Sequence, residues 1–324
     1  MLARYVLAAS LAALLSLAAQ ADAPPKPQRI AAGVWLIPGG IPADREPDGN
    51  TVVFDAPQGL IVMDTGRHAW HRAAILDFAK TRGRPIVAII NSHWHLDHVS
   101  GNPDLRAAYP GLKVYASNAI DAALTGFLAK SAAEAKAYLD SGKLPPQTAE
   151  DIRGDLATFA NGQALRPDIV IDGSTTRTIA GRPLQVNLAP DAATAGDVWV
   201  YDAASHVAAA GDLVTLPVPF LDTACPVGWS AALARIAKTP FRILVPGHGL
   251  PMTRIQFGVY RTAFDALIAC SASPRDAGAC AADWSSAVQV LPGAGPPQQA
   301  VSMTTYYVKD VLRAHGGKSA ECRL

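Results

Sequence analysis

Three histidines and one aspartate fall within six consecutive positions of this chain, in Asn91-Ser92-His93-Trp94-His95-Leu96-Asp97-His98, and no other stretch narrows the possible folds as far. Imidazole and carboxylate are side chains that hold divalent ions. His93 and His95 are two residues apart, so on an extended or turning backbone their rings leave on the same side and can share one ion. Asp97 and His98 then face a second position. The preceding run Pro85-Ile86-Val87-Ala88-Ile89-Ile90 is small and apolar throughout, as in a buried strand, and it delivers the cluster at its own carboxyl end.

The pattern His93-x-His95-x-Asp97-His98 resembles the signature of the metallo-β-lactamase-fold hydrolase superfamily. Three further segments carry the same resemblance. Asp64, closing Leu60-Ile61-Val62-Met63-Asp64, resembles the structural aspartate at the end of an early strand. Asp212, after Val207-Ala208-Ala209-Ala210-Gly211, resembles the metal-bridging aspartate, and His248 in Val245-Pro246-Gly247-His248-Gly249 resembles the last histidine ligand. The resemblance implies an αββα four-layer sandwich with the metals at one edge, zinc as the default ion, and hydrolysis as the chemistry.

One ligand of that pattern is missing. Relatives place a histidine before Thr-x-Gly-Asp, whereas alignment on Thr194-x-Gly196-Asp197 puts Ala193 in its place. Asp191 is the only ionisable side chain between Gln185 and Ala195 and is the candidate replacement. If Asp191 ligates, two ions are expected, one on His93, His95 and Asp191, the other on Asp97, His98 and His248, with Asp212 between them. If it points away, the first position is weak and the site holds one ion. An oxygen-rich donor set of this kind also suits iron or manganese.

Residues Met1 to Ala23 place Arg4 ahead of the apolar run Val6 to Ala19 and the small-residue pattern Ala19-Gln20-Ala21. This reads as a cleaved signal peptide, and so as a periplasmic or secreted protein without stable membrane association after cleavage. Four cysteines suit an oxidising compartment, since an even number can pair fully. Cys270 with Cys280 encloses a short polar loop, and Cys225 with Cys322 would then pin the tail; a Cys225 thiolate as metal ligand is the other option. Half of the 324 residues are hydrophobic, enough for a substantial core, and a net charge of +1 without a basic stripe argues against nucleic acid as a partner.

Along the chain, Pro24 to Arg29 reads as a linker. Strands are expected at Gly33–Ile37, Thr51–Asp55 and Leu60–Asp64, with the Gly- and Pro-rich Pro38 to Asn50 as a flap over the site. Ala69 to Thr81 has helical spacing, and His68 and His71 beside it read as structural. Asn118 to Leu139 reads as one long helix, which with the polar segment Ser141 to Arg166 forms an insertion (about 118–166) able to rim a substrate cleft. Strands follow at Ile169–Ile171, Arg177–Ile179, Leu184–Leu188, Val198–Tyr201, Val207–Ala210 and Arg242–Val245, with a helix over Ser230–Lys238. The hydrolase domain is expected over 24–269, and a C-terminal helical extension over 270–324, ending in a helix from Val301 to Ala314.

The expected function is an exported metal-dependent hydrolase acting on a small ester, lactone, thioester or β-lactam. A bound divalent ion lowers the pKa of water from about 15.7 towards about 7, and Asp97 is placed to orient the nucleophile or take its proton. The apolar loop Leu216–Leu221 would wall the pocket. Two alternatives remain open: a periplasmic accessory or binding protein with a degenerate site, and a mononuclear-iron sulfur dioxygenase.

Overall fold

Alternation and continuous apolar runs along the chain produce two sheets, because a strand that is apolar on both faces must be covered on both. The computed structural model describes residues 25–42 and 45–322. The signal peptide expected over 1–23 lies outside them.

The first sheet holds β1 (Gln28–Ala31), β2 (Val34–Ile37), β3 (Thr51–Ala56), β4 (Gly59–Met63), β5 (Ile86–Ile90), β6 (Lys113–Ala116) and β7 (Ile169–Val170), neighbours in chain order. Pairing is antiparallel from β1 to β4 and parallel from β4 to β7. The second sheet runs in the order β12 (Ile243–Val245), β11 (Val207–Ala209), β10 (Gly196–Asp202), β9 (Arg182–Pro190), β8 (Thr175–Ile179). Val34, Leu36, Phe54, Ile61 and Ile90 of the first sheet pack against Leu184, Val186, Val198, Val200 and Val245 of the second.

Helices cover the outer faces. Helix α1 (Ala69–Arg82) lays Ala74, Ile75, Phe78 and Ala79 on the first sheet, and Gly83 ends it in the left-handed conformation at φ 62°. After the short helices α2 (Leu96–Val99) and α3 (Asn102–Ala108), Leu105 joins the same face. On the second sheet, α7 (Pro226–Lys238), α8 (Arg254–Ser271), α9 (Ala277–Val288) and α10 (Pro297–Tyr306) bury Trp229, Phe264, Trp284 and Ala300 in one cluster. The fold is an αββα sandwich.

Several elements differ from their reading in the sequence. The segment read as a linker ends in β1, which gains main-chain partners along the edge of β2. Ile169–Val170 joins the first sheet, parallel to β6. The helix expected over 118–139 is broken at Gly126 into α4 (Ala119–Thr125) and α5 (Phe127–Asp140). The polar stretch after it contains the 15-residue helix α6 (Pro146–Ala160), which buries little but Ala149 and Asp151 and so shows no broad apolar stripe. The final helix starts at Pro297, and beyond Tyr306 the chain continues in a wider turn over Tyr307–Leu312. Both disulfides form, Cys225–Cys322 and Cys270–Cys280, so the Cys225 sulfur is committed and is no thiolate ligand.

Candidate metal centre

The cluster leaves β5 on a loop that the backbone holds from behind. Asn91 and Asn102 exchange side-chain hydrogen bonds at 2.7 and 3.3 Å, and the Thr65 hydroxyl donates to Asn102 at 3.0 Å. Asp64 follows β4 with φ 63°, a conformation a non-glycine residue adopts only under surrounding constraint. The constraint is visible. Its carboxylate accepts the Ser92 N–H at 2.7 Å, the Ser92 hydroxyl at 2.6 Å and His98 Nδ1 at 2.8 Å.

These bonds set two tautomers. His98 donates Nδ1–H to Asp64, which leaves Nε2 as the atom facing the centre. Because Ser92 Oγ donates to Asp64, it accepts from His93 Nδ1 at 2.9 Å, and His93 Nε2 is likewise left with its lone pair free.

His98 Nε2 lies 3.3 Å from His248 Nε2, 3.4 Å from Asp97 Oδ2 and 3.1 Å from Asp212 Oδ1. His248 Nε2 is 2.9 Å from Asp97 Oδ2 and 3.6 Å from Asp212 Oδ1. Donors bound tetrahedrally at about 2.0–2.1 Å would be about 3.3–3.4 Å apart, so these separations suit a small divalent ion. His93 Nε2 stands 3.6 Å from Asp212 Oδ2. Two groups of three donors result, His93, His98 and Asp212, and Asp97, His98 and His248, all six placements buried. His93 Nε2 and both Asp212 oxygens are buried without a hydrogen-bond partner. Buried donors left unsatisfied are costly, and a cation among them removes that cost.

Electrostatics agree with a site built for positive charge. Burial pushes the Asp97 and Asp212 carboxyls up, but the imidazoles of His98 and His248 outweigh it and hold both below the usual carboxylate range. Burial, with His98 and His95 adding to it, holds His93 well below an ordinary histidine and so neutral. His98 is the converse: burial is outweighed by Asp212, Asp97 and Asp64, which hold it well above, so that without an ion Nε2 keeps a proton among these carboxylates and a bound cation would take that proton's place.

The remaining two residues read as ligands lie in neither group. His95 Nε2 is 3.2 Å from the Thr223 hydroxyl, which donates to the Ala193 carbonyl at 2.8 Å; His95 therefore has Nδ1 alone to offer. Asp191 sits at φ 50° in a tight turn, its N–H on Ala195 O at 3.3 Å and its carbonyl packed so closely on Gly228 that a β-carbon there would come within 1.9 Å. Ala193 is buried in that turn.

Several partners of the site carried no motif. Gly49 donates to Asp97 O at 3.0 Å and Asn50 to Gly247 O at 2.7 Å, while the Asn50 amide reaches Pro246 O and Gly249 O, so the flap joins the two ligand loops. His68, stacked on Trp70, is held by Asp48 at 2.8 Å and lies 3.2 Å from Asp151 of α6; His71 meets the Thr51 hydroxyl at 2.8 Å. Both are buried. A Gly in a flap and an Asn before a strand are common, and nothing local marks Thr223.

His95 and Asp97 open on a cavity of about 800 Å³. Trp94, Phe127 and Leu128 form one wall, Phe220, Met303 and Tyr307 another. Trp94 also packs on Ile120 and Leu165 of the insertion.

The sequence profile of the metallo-beta-lactamase superfamily matches residues 45–248. The chain belongs to that superfamily. Among superfamily relatives, it is 26% identical over 222 residues to a linear primary-alkylsulfatase of a Pseudomonas species, covering 62% of this chain and 41% of that one. It is 36% identical over 96 residues to a hydroxyacylglutathione hydrolase of Gloeobacter violaceus, covering 27% and 30%. The chain thus spans less than half the length of these relatives. The same fold occurs in a metallo-beta-lactamase from Pontibacter korlensis, with TM-score 0.55, 20% identity and coverage of 74% of this chain and 98% of that one. It also occurs in a stereoselective inverting sec-alkylsulfatase from a Pseudomonas species, with TM-score 0.57, 17% identity and coverage of 87% and 50%.

Proposed function

We propose that this chain is an exported metal-dependent hydrolase of small ester-like substrates. The observation that carries the reading is a cluster of buried imidazole and carboxylate groups, His93 Nε2 and both Asp212 oxygens unpartnered among them, whose outer members His95 and Asp97 line a cavity large enough for a small organic molecule. Asp97, His98 and His248, with Asp212 alongside, would hold the principal ion. The first position has His93 and Asp212, with His95, whose ring lies 4.5 Å from that of His93, able to add Nδ1; Ala193 supplies no donor, so a second ion there would be held more weakly. Zinc fits a set of two imidazoles and two carboxylates.

A divalent ion in this position supplies Lewis acidity and a hydroxide nucleophile at neutral pH. The protein's own part is positional. Asp97 faces the cavity, where it could orient an attacking water or take its proton. Asp64 and Ser92 hold His93 and His98 in the tautomers that point Nε2 inwards. The insertion and Phe220 exclude water from the substrate's apolar part.

Export is part of the same reading, supported by two disulfides and by the leader in the sequence; no helix of the described residues is long and apolar enough to cross a membrane. The test is metal analysis of purified protein together with turnover of a carboxyl ester, a lactone, a thioester, a β-lactam and an alkyl sulfate, each with and without chelator. Bound metal and chelator-sensitive turnover of any one support the proposal; a metal-free protein inert on the whole panel overturns it in favour of a binding role.

A further inference from the structure

The cavity beside the metal centre carries a charge pattern that bears on what it admits. Two arginines line it, and both are already matched. Arg45 pairs with Asp151 at 2.7 Å and Glu150 at 3.0 Å, and Arg67 pairs with Asp155 and stands 3.8 Å from Glu46. Neither offers an unmatched positive charge to a bound anion. The carboxylates of Asp222 and Glu134 also line the cavity, and among the described residues no cation pairs with either.

Asp222 is the better placed of the two. It lies on the loop between Phe220, whose ring meets His248 edge-on with centroids 5.3 Å apart, and Thr223, which holds His95. The Tyr307 hydroxyl donates to Asp222 Oδ2 at 2.8 Å and fixes the carboxylate. Glu134 is exposed on α5 across the cavity. Next to Asp222 the wall is apolar, with Phe220, Met303 and the Tyr307 ring, and the arginines of the cavity are engaged by their own carboxylates, so a second negative charge brought in there would be poorly compensated, while an ammonium would meet ring faces as well as a carboxylate.

We propose that this cavity takes the apolar end of a substrate that is uncharged or cationic there and turns away substrates that are anionic there, with Asp222 as the specificity-determining residue. This rests on the hydrolase reading and narrows its substrate class. Anions with their charge at the cleaved bond are not affected, because that group would sit at the metal centre and not against Asp222.

The experiment uses the metal-loaded protein and three phenyl esters of equal acyl-chain length ending in a methyl, a trimethylammonium or a carboxylate group, at a pH where the last is ionised. Expected is a kcat/KM for the methyl and trimethylammonium esters at least about tenfold above that for the carboxylate ester, the gap residing in KM and shrinking with added salt. Asp222→Asn should narrow the gap several-fold, whereas Tyr307→Phe, which keeps the charge, should preserve it. Chelator-sensitive turnover with the carboxylate ester cleaved as well as the others overturns the inference alone. A gap unchanged in a folded Asp222→Asn protein removes Asp222 from the role. If no ester is turned over in a chelator-sensitive way, the hydrolase reading fails and this inference fails with it.

Discussion

Asp64 is where single-residue physics is most concentrated, since one carboxylate in a left-handed backbone position orders Ser92, His93 and His98 together. Asp64→Asn replaces one acceptor oxygen by an amide that must face a donor. Metal affinity should fall by about 10- to 100-fold, as for other partners behind a ligating histidine, measurable by competition with a coloured chelator. Gly49 is held to glycine for a different reason: a β-carbon would stand 2.4 Å from His98 Cε1. Gly49→Ala should therefore push the His98 ring and lower bound metal per chain while the far-ultraviolet circular dichroism stays native. Ala193 occupies the place of the ligand missing from the weaker position in the family pattern. If a missing donor is what weakens it, Ala193→His should raise the metal content measured by plasma emission, provided that the variant folds; no gain in a folded variant counts against that account.

At the scale of elements, the flap, the insertion and the two ligand loops are joined through polar contacts. Asp48 accepts from the Arg67 and His68 amides at 2.6 and 2.9 Å and from the His68 ring, next to α6 and its Asp151. Burial pushes its carboxyl up, but His68 and His71 outweigh burial and hold it at about 2. A depressed carboxyl contributes stability that is present above its unfolded value, near 3.8, and is lost as pH falls through about 2. Asp48→Asn should thus cost on the order of 2 kcal/mol in urea unfolding at neutral pH, and progressively less as the pH is lowered towards 2. A cost that does not change with pH would show that the group acts through packing and not through charge.

Over the whole molecule, the centre is a joint between sheets. His93, Asp97 and His98 follow β5 of the first, while Asp212 and His248 follow β11 and β12 of the second. An ion that binds only when the sheets are packed stabilises the fold by mass action, about 2.7 kcal/mol at a hundredfold excess over Kd. Stripping it with chelator should lower Tm by several degrees, and adding zinc should restore it. The C-terminal helices are tied in as firmly, since the Cys225–Cys322 bond spans 97 residues. The double variant Cys225→Ala, Cys322→Ala should lose about 2–5 kcal/mol by urea unfolding.

Much of this was legible from one strand and its tip. The pattern His93-x-His95-x-Asp97-His98 after a buried β5, with Asp64, Asp212 and His248 each after an apolar run, carried the family resemblance, and it was the resemblance that implied the sandwich; apolar runs and their ends are local signals that a sequence displays. An even number of cysteines suggested full pairing and a short loop suggested Cys270 with Cys280, but only the structure decided between a Cys225–Cys322 bond and a Cys225 thiolate at the metal. Contacts between distant segments were not. The Thr223 bridge from His95 to Ala193, the reach of Asn50 to the His248 loop and the matched state of Arg45 and Arg67 all depend on chains that meet only when two sheets close on each other. Asp191 could be singled out by charge alone, and it is the turn packed beneath Gly228 that sets where it lies. Which residue types follow which strand is written along the chain; which of their atoms share a cavity is decided by three-dimensional packing, because hydrogen-bond direction and van der Waals exclusion act across space and leave no periodic trace in sequence.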